Sequence, residues 1–185
     1  MRMKFRLYAF IGLAFLILNQ VLLLRGNEFI QTQQPIDFAH WLLFFGVLLC
    51  ISLNYIFSKG IFNSVSSGLT TMGVVAMVGQ AVIDLIWWSY GTDYEGVNRL
   101  TNQLMSHPSI RIPFMTIGPA LFYLGIAIHS GKFFKKYTAW ALVAICGVII
   151  TGVGSFALDS RLAIVIGHLV MATGVLMLVF KEDLD

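Results

Sequence analysis

The chain has 185 residues, of which 58% are hydrophobic and 11% charged, with a mean hydropathy of +0.83 and a formal net charge of +3. A soluble domain carries about 25% charged residues, so this composition excludes an ordinary soluble fold and points to an integral membrane protein, with no room for a separate soluble domain. The basic residues are scattered near the ends of apolar runs, which excludes a nucleic-acid surface.

Arg2, Lys4 and Arg6 precede an apolar run from Leu7 to Leu24. The run ends in NQVLLLRG, not in a small-x-small cleavage pattern, so it reads as a retained first span over 7–24. Asn19 and Gln20 near its end can hydrogen-bond neighbouring helices. After a polar loop, Pro35 and Asp37 signal a helix start, and the second span is expected over 38–57. His40 and Trp41 stand at its beginning, Tyr55 and Phe57 at its end. Aromatic residues at both ends suit the two membrane interfaces. Ser58-Lys59-Gly60 is a short turn.

The third span is expected over 65–90, with 61–67 lying at the surface or the helix tilted. Gly73, Ala76, Met77, Gln80, Asp84 and Trp87 recur at spacings of three and four, which puts them on one helical face. Gln80 and Asp84 are costly against lipid, so this face should point into the protein. At a rise of about 1.5 Å per residue, Asp84 lies roughly 9 Å below Tyr90.

Residues 91–110 form the longest loop. Val97, Leu100 and Leu104 share one helical face, with Asn98, Arg99, Asn102 and Gln103 opposite. That pattern predicts a short amphipathic surface helix over 93–106, which could serve as a lid or a plain connector. The fourth span follows over 112–129; Pro113 suits its first turn and Pro119 should kink it. A basic turn at 131–137 leads to the fifth span over 138–158. Asp159-Ser160-Arg161 turns the chain into the sixth span over 162–180, and KEDLD is a polar tail.

The expected fold is therefore all-α: a single six-span helical membrane bundle over 1–185. Small-residue faces on spans three to six should hold it together. With cytoplasmic termini, eight basic residues (Arg2, Lys4, Arg6, Lys59, Lys132, Lys135, Lys136, Lys181) fall inside and four (Arg25, Arg99, Arg111, Arg161) outside. The positive-inside rule thus puts both termini in the cytoplasm. The absence of glycosylation sequons suggests a bacterial inner membrane. The two halves carry no matching residues that would mark a repeat.

Under this topology Gln80, Asp84, Trp87, Trp88, His40, Arg111 and His168 collect toward the outer side as an expected ligand-binding layer ringed by aromatics. Gln20, Asp159, Arg161, Trp41 and Tyr90 lie near the same side. The layer suits a membrane lipid or a small hydrophobic molecule, or a partner protein or second copy of the chain on the flanks. The alternative is an enzyme or proton-relay transporter in which Asp84 orients His168 as a general base. Asp84 paired with Arg111 or Arg161, and His168 bonded to a backbone carbonyl, are the structural readings of the same residues. No cofactor or metal is expected: the histidines do not match in depth as haem ligands would, no H-E-x-x-H or ligand cluster occurs, and Cys50 and Cys146 stand alone. Ser64, Ser66 and Ser67 sit at the opposite end from His168, which argues against a serine protease.

Overall fold

The structure is a computed structural model in which residues 2–57 and 60–181 are described, and their regular elements are all helices. Six helical segments are long and apolar enough to cross a membrane: Met3–Leu23, Phe38–Ile56, Ile61–Ser89, Pro108–Gly131, Thr138–Phe156 and Arg161–Lys181. Their lipid-side positions carry exposed apolar side chains such as Phe10, Leu18, Val75, Ile86, Leu124 and Ile149. The chain is thus compatible with a multi-pass membrane protein in contact with lipid. Parts of the expected turn at 58–60 and of the polar tail fall outside the described residues.

Span one is α1, Arg2–Leu23, followed by the short α2, Asn27–Gln31. Span two is α3, Phe38–Cys50, then α4, Leu53–Ile56. The expectation of one continuous helix over 38–57 is corrected at Ile51 and Ser52. There the amides reach three residues back, to Leu48 and Leu49, while the Ser52 hydroxyl takes the Leu49 carbonyl at 2.6 Å. A serine hydroxyl competing for a backbone acceptor tightens the turn. Arg6, assigned by the sequence to the membrane surface, is buried.

Span three is α5, Ile61–Ser89, whose 29 residues exceed what a bilayer core requires. The connector holds α6, Tyr94–Ser106, started by Asp93, which accepts a 2.9 Å bond from the Gly96 amide. Span four opens with α7, Pro108–Ile110, widens into a π-helical stretch at Arg111–Ile117, and continues as α8, Gly118–Gly131. The irregularity expected at Pro119 therefore lies one turn earlier. Proline lacks an N–H and crowds the preceding turn, and a wider turn relieves both problems. Spans five and six are α9, Thr138–Phe156, and α10, Arg161–Lys181.

The spans form a closed ring in chain order: α1 packs on α3, α3 on α5, α5 on α8, α8 on α9, α9 on α10, and α10 returns to α1. Lipid gives helices no hydrophobic drive to associate, so close backbone approach must supply the attraction. Glycines permit it within three successive pairs. A Cβ on Gly12 would lie 2.9 Å from the Gly46 carbonyl oxygen; one on Gly73, 2.3 Å from the Phe122 nitrogen; one on Gly147, 2.1 Å from the Met171 nitrogen. The α1–α3 contact extends the small-residue packing beyond spans three to six.

At one end the ring is filled. Val47, Ile56, Phe57, Phe122, Ile126 and Leu178 belong to a continuous apolar core. A polar clamp crosses it: His129 on α8 donates from Nε2 to the Asn54 Oδ1 at 3.0 Å and faces the Ser66 hydroxyl through Nδ1 at 3.0 Å. The other end of the ring is open.

Candidate functional site

The open end encloses a cavity of about 600 Å³. Every span contributes to its wall. Asn19 and Gln20 come from α1, His40 and Leu43 from α3, and Met77, Gln80, Asp84, Trp87 and Trp88 from α5. Pro119 and Tyr123 come from α8, Thr151, Gly152 and Ser155 from α9, and Arg161, Ile164 and His168 from α10. Two connectors complete the wall: Asn27, Ile30 and Gln31 from α2, and Val97, Asn98 and Thr101 from α6. Asn98 belongs to the face expected to be opposite the apolar stripe, yet it lines the cavity with Val97.

Six of the seven residues singled out from the sequence (Gln80, Asp84, Trp87, Trp88, His40 and His168) line this one cavity. Arg111 does not. It begins the π-helical stretch and is exposed, and the arginine lining the cavity is Arg161. Trp41 packs against Phe44 and Phe45 on α3, and neither it nor Tyr90 lines the cavity.

Asp84 is 8% exposed, and its partner is His40, not His168. The His40 Nε2 lies 3.7 Å from the Asp84 Oδ2, an ion-pair separation too long for a direct hydrogen bond. What aims the ring is Asp37, fully buried at the cap of α3. One Asp37 oxygen accepts from the His40 amide at 3.1 Å, and the other bonds the His40 Nδ1. A cap residue and the third residue after it face each other across the first helical turn. Asp37-x-x-His40 is therefore the sequence signal for this pair, in addition to the helix start that Asp37 marks. Arg161 and Asp37 also interact electrostatically with Asp84.

His168 is 1% exposed and has both ring nitrogens engaged. Nδ1 lies 2.8 Å from the Ile164 carbonyl, which can only accept, so Nδ1 is the donor. Nε2 then accepts from the Tyr123 hydroxyl at 2.8 Å, across an edge-on ring contact at 5.6 Å. The expected Asp84–His168 pairing is corrected. His168 is held by its own helix and by Tyr123 on α8, and in the ring the neighbours of α5 are α3 and α8.

Asn19 donates to the Ala39 carbonyl at 2.9 Å and accepts from Gln20 at 2.8 Å, which fixes α1 beside the start of α3. Trp87 Nε1, Trp88 Nε1, Gln31 Oε1 and Thr151 Oγ1 are buried atoms without a hydrogen-bond partner, and all four residues line the cavity.

The Ser66–His129–Asn54 clamp has the residue types of a nucleophile, base and orienting group. It cannot work as one here. Ser66 is fully buried, its hydroxyl lies 2.8 Å from the Phe62 carbonyl of its own helix, and none of the three residues lines the cavity. No group of three or more His, Cys, Asp or Glu suited to a metal ion occurs among the described residues. In comparisons with known proteins, no family, curated protein or solved structure matches the chain.

Proposed function

We propose that this membrane protein is a binding or accessory protein whose cavity holds the polar end of a lipid or other small hydrophobic molecule. The observation that carries the reading is the cavity itself. It lies within the range of about 300–1,000 Å³ usual for small-molecule sites, all six spans line it, and its wall mixes apolar side chains with Asp84, His40 and two indoles. A bundle needing only stability would close that end as it closes the other. The connector helix α6 forms part of the wall, and in this reading it is the lid through which the ligand enters. The distribution of basic residues supports both termini in the cytoplasm and the cavity opening outward, and the absence of glycosylation sequons supports a bacterial inner membrane.

The test uses a bulky side chain grown into open space. A Cβ on Gly152 meets nothing within 4 Å, and Gly152 lines the cavity. The wild-type protein and Gly152→Trp would be extracted with native lipid and compared by native mass spectrometry. The expected result is a retained small molecule on the wild type and its loss from the variant. Equal mass profiles would sink the binding reading.

A second reading, an enzyme or proton relay, draws on Asp37–His40–Asp84. A carboxylate that fixes one imidazole nitrogen leaves the other free for proton transfer. It would centre on His40, with Asp84 opposite and His168 as a wall residue, and it predicts proton uptake or turnover lost in His40→Ala.

A further inference from the structure

We infer that the cavity accepts a neutral amphiphile whose head carries hydrogen-bond acceptor oxygens, a carbonyl or an ester, in preference to a cation or an anion. This rests on the binding reading above and names its ligand class.

Unpaired donors outnumber unpaired acceptors in the wall: two indole N–H groups stand against the Gln31 Oε1, and the Thr151 hydroxyl can serve as either. Trp87 and Trp88 both present a buried indole N–H without a partner, and an indole nitrogen can only donate. A buried donor left unpaired bears its full desolvation penalty. Two adjacent residues of one helix carry this cost at the wall of one cavity, and its natural relief is an acceptor brought by the ligand.

The charged groups around the cavity are Asp37, Asp84, His40 and Arg161. Both ring nitrogens of His40 face carboxylates, Nδ1 toward Asp37 and Nε2 toward Asp84. Nδ1 bonds Asp37 and Nε2 stands at an ion-pair separation of 3.7 Å from Asp84, so a protonated ring has a carboxylate on each side. Two carboxylates then stand against one imidazolium and one guanidinium, and the set is balanced. His168 is neutral by its hydrogen bonds, donating to Ile164 and accepting from Tyr123. A cationic head would compete with His40 for Asp84; an anionic head would meet Asp37 and Asp84. Either leaves an uncompensated charge beside the buried Asp37 and Asp84, where such charges are expensive. A carbonyl adds none. Leu43, Met77 and Ile164 in the wall accept the apolar remainder.

The experiment titrates the whole protein in lipid nanodiscs with four probes of equal chain length: a decyl-substituted benzoquinone, methyl decanoate, decanoate and decyltrimethylammonium. The expected result is that one or both neutral probes bind about tenfold tighter than either charged one, and that Trp87→Phe with Trp88→Phe removes most of that advantage. The quinone and ester arms separate the two sources of a carbonyl. Comparable affinities for all four probes, or a preference for the ammonium, would overturn the inference and leave the cavity a binder. Binding of every probe that Gly152→Trp does not affect, or no binding at all, would overturn the binding reading with it. The four-probe comparison needs no variant, so it stands even if the double substitution fails to fold.

Discussion

His40 on α3 faces Asp84 on α5 at 3.7 Å, held in that direction by Asp37 behind it. The arrangement joins spans two and three at the cavity wall, and it turns a helix cap into the support of a potential ligand contact. Replacing Asp37 by Asn separates the two duties. Asn caps a helix about as well as Asp, so thermal stability should fall by less than about 1 kcal/mol. The amide cannot serve as an anionic partner for the His40 ring, so retained ligand should fall as far as it does in His40→Ala. Unchanged ligand occupancy in the Asp37→Asn protein would show that the ring needs no such support.

The His40–Asp84 pair should be energetically coupled. A double-mutant cycle with His40→Ala and Asp84→Asn, read by unfolding in mixed detergent micelles, is expected to give an interaction of about 0.5–3 kcal/mol, as for side chains in one polar network. The same cycle between Asp84 and His168 should give a clearly smaller value, because His168 has both nitrogens engaged elsewhere. Reversed magnitudes would restore the pairing expected from sequence.

At the closed end, His129→Ala should cost about 1–3 kcal/mol, since it removes a buried ring and takes the bond from the half-buried Asn54 carbonyl oxygen. Ser66→Ala should cost less, because it removes the hydroxyl together with its need for a partner. Neither substitution should alter ligand retention at the open end. A loss of retained ligand in both variants, with stability intact, would give this clamp a functional part.

Glycine contacts set the helix pairs. Gly73→Ala and Gly147→Ala each force a Cβ into the backbone of the facing helix, and overpacking of this kind costs about 1–3 kcal/mol. Gly131→Ala, where a Cβ would meet nothing within 4 Å, is the control and should be close to neutral. Detergent unfolding midpoints check the three side by side, and equal midpoints would mean that backbone approach is not what holds the pairs.

Much of this molecule was legible from its residues alone. Long apolar runs broken by polar turns announce membrane helices, because lipid leaves an unpaired backbone no alternative. The periodic face through Gly73, Met77, Gln80 and Asp84 announced which side of α5 turns inward, because polar groups cannot rest against lipid. These are local properties, and the chain carries them whatever its helices pack against. Partnership is not local. Whether Asp84 meets His40 or His168 depends on which helices are neighbours, and the ring order was decided by glycines such as Gly12 and Gly46 that let particular backbones touch. Arg111 and Arg161 looked alike in sequence. Only the exposed start of the π-helical stretch, against a place on the cavity wall at the head of α10, told them apart. Sequence therefore determined the helices and their inward faces through the cost of polar groups in lipid. Tertiary packing alone decided which inward-facing groups meet, because that choice rests on contacts between residues far apart in the chain.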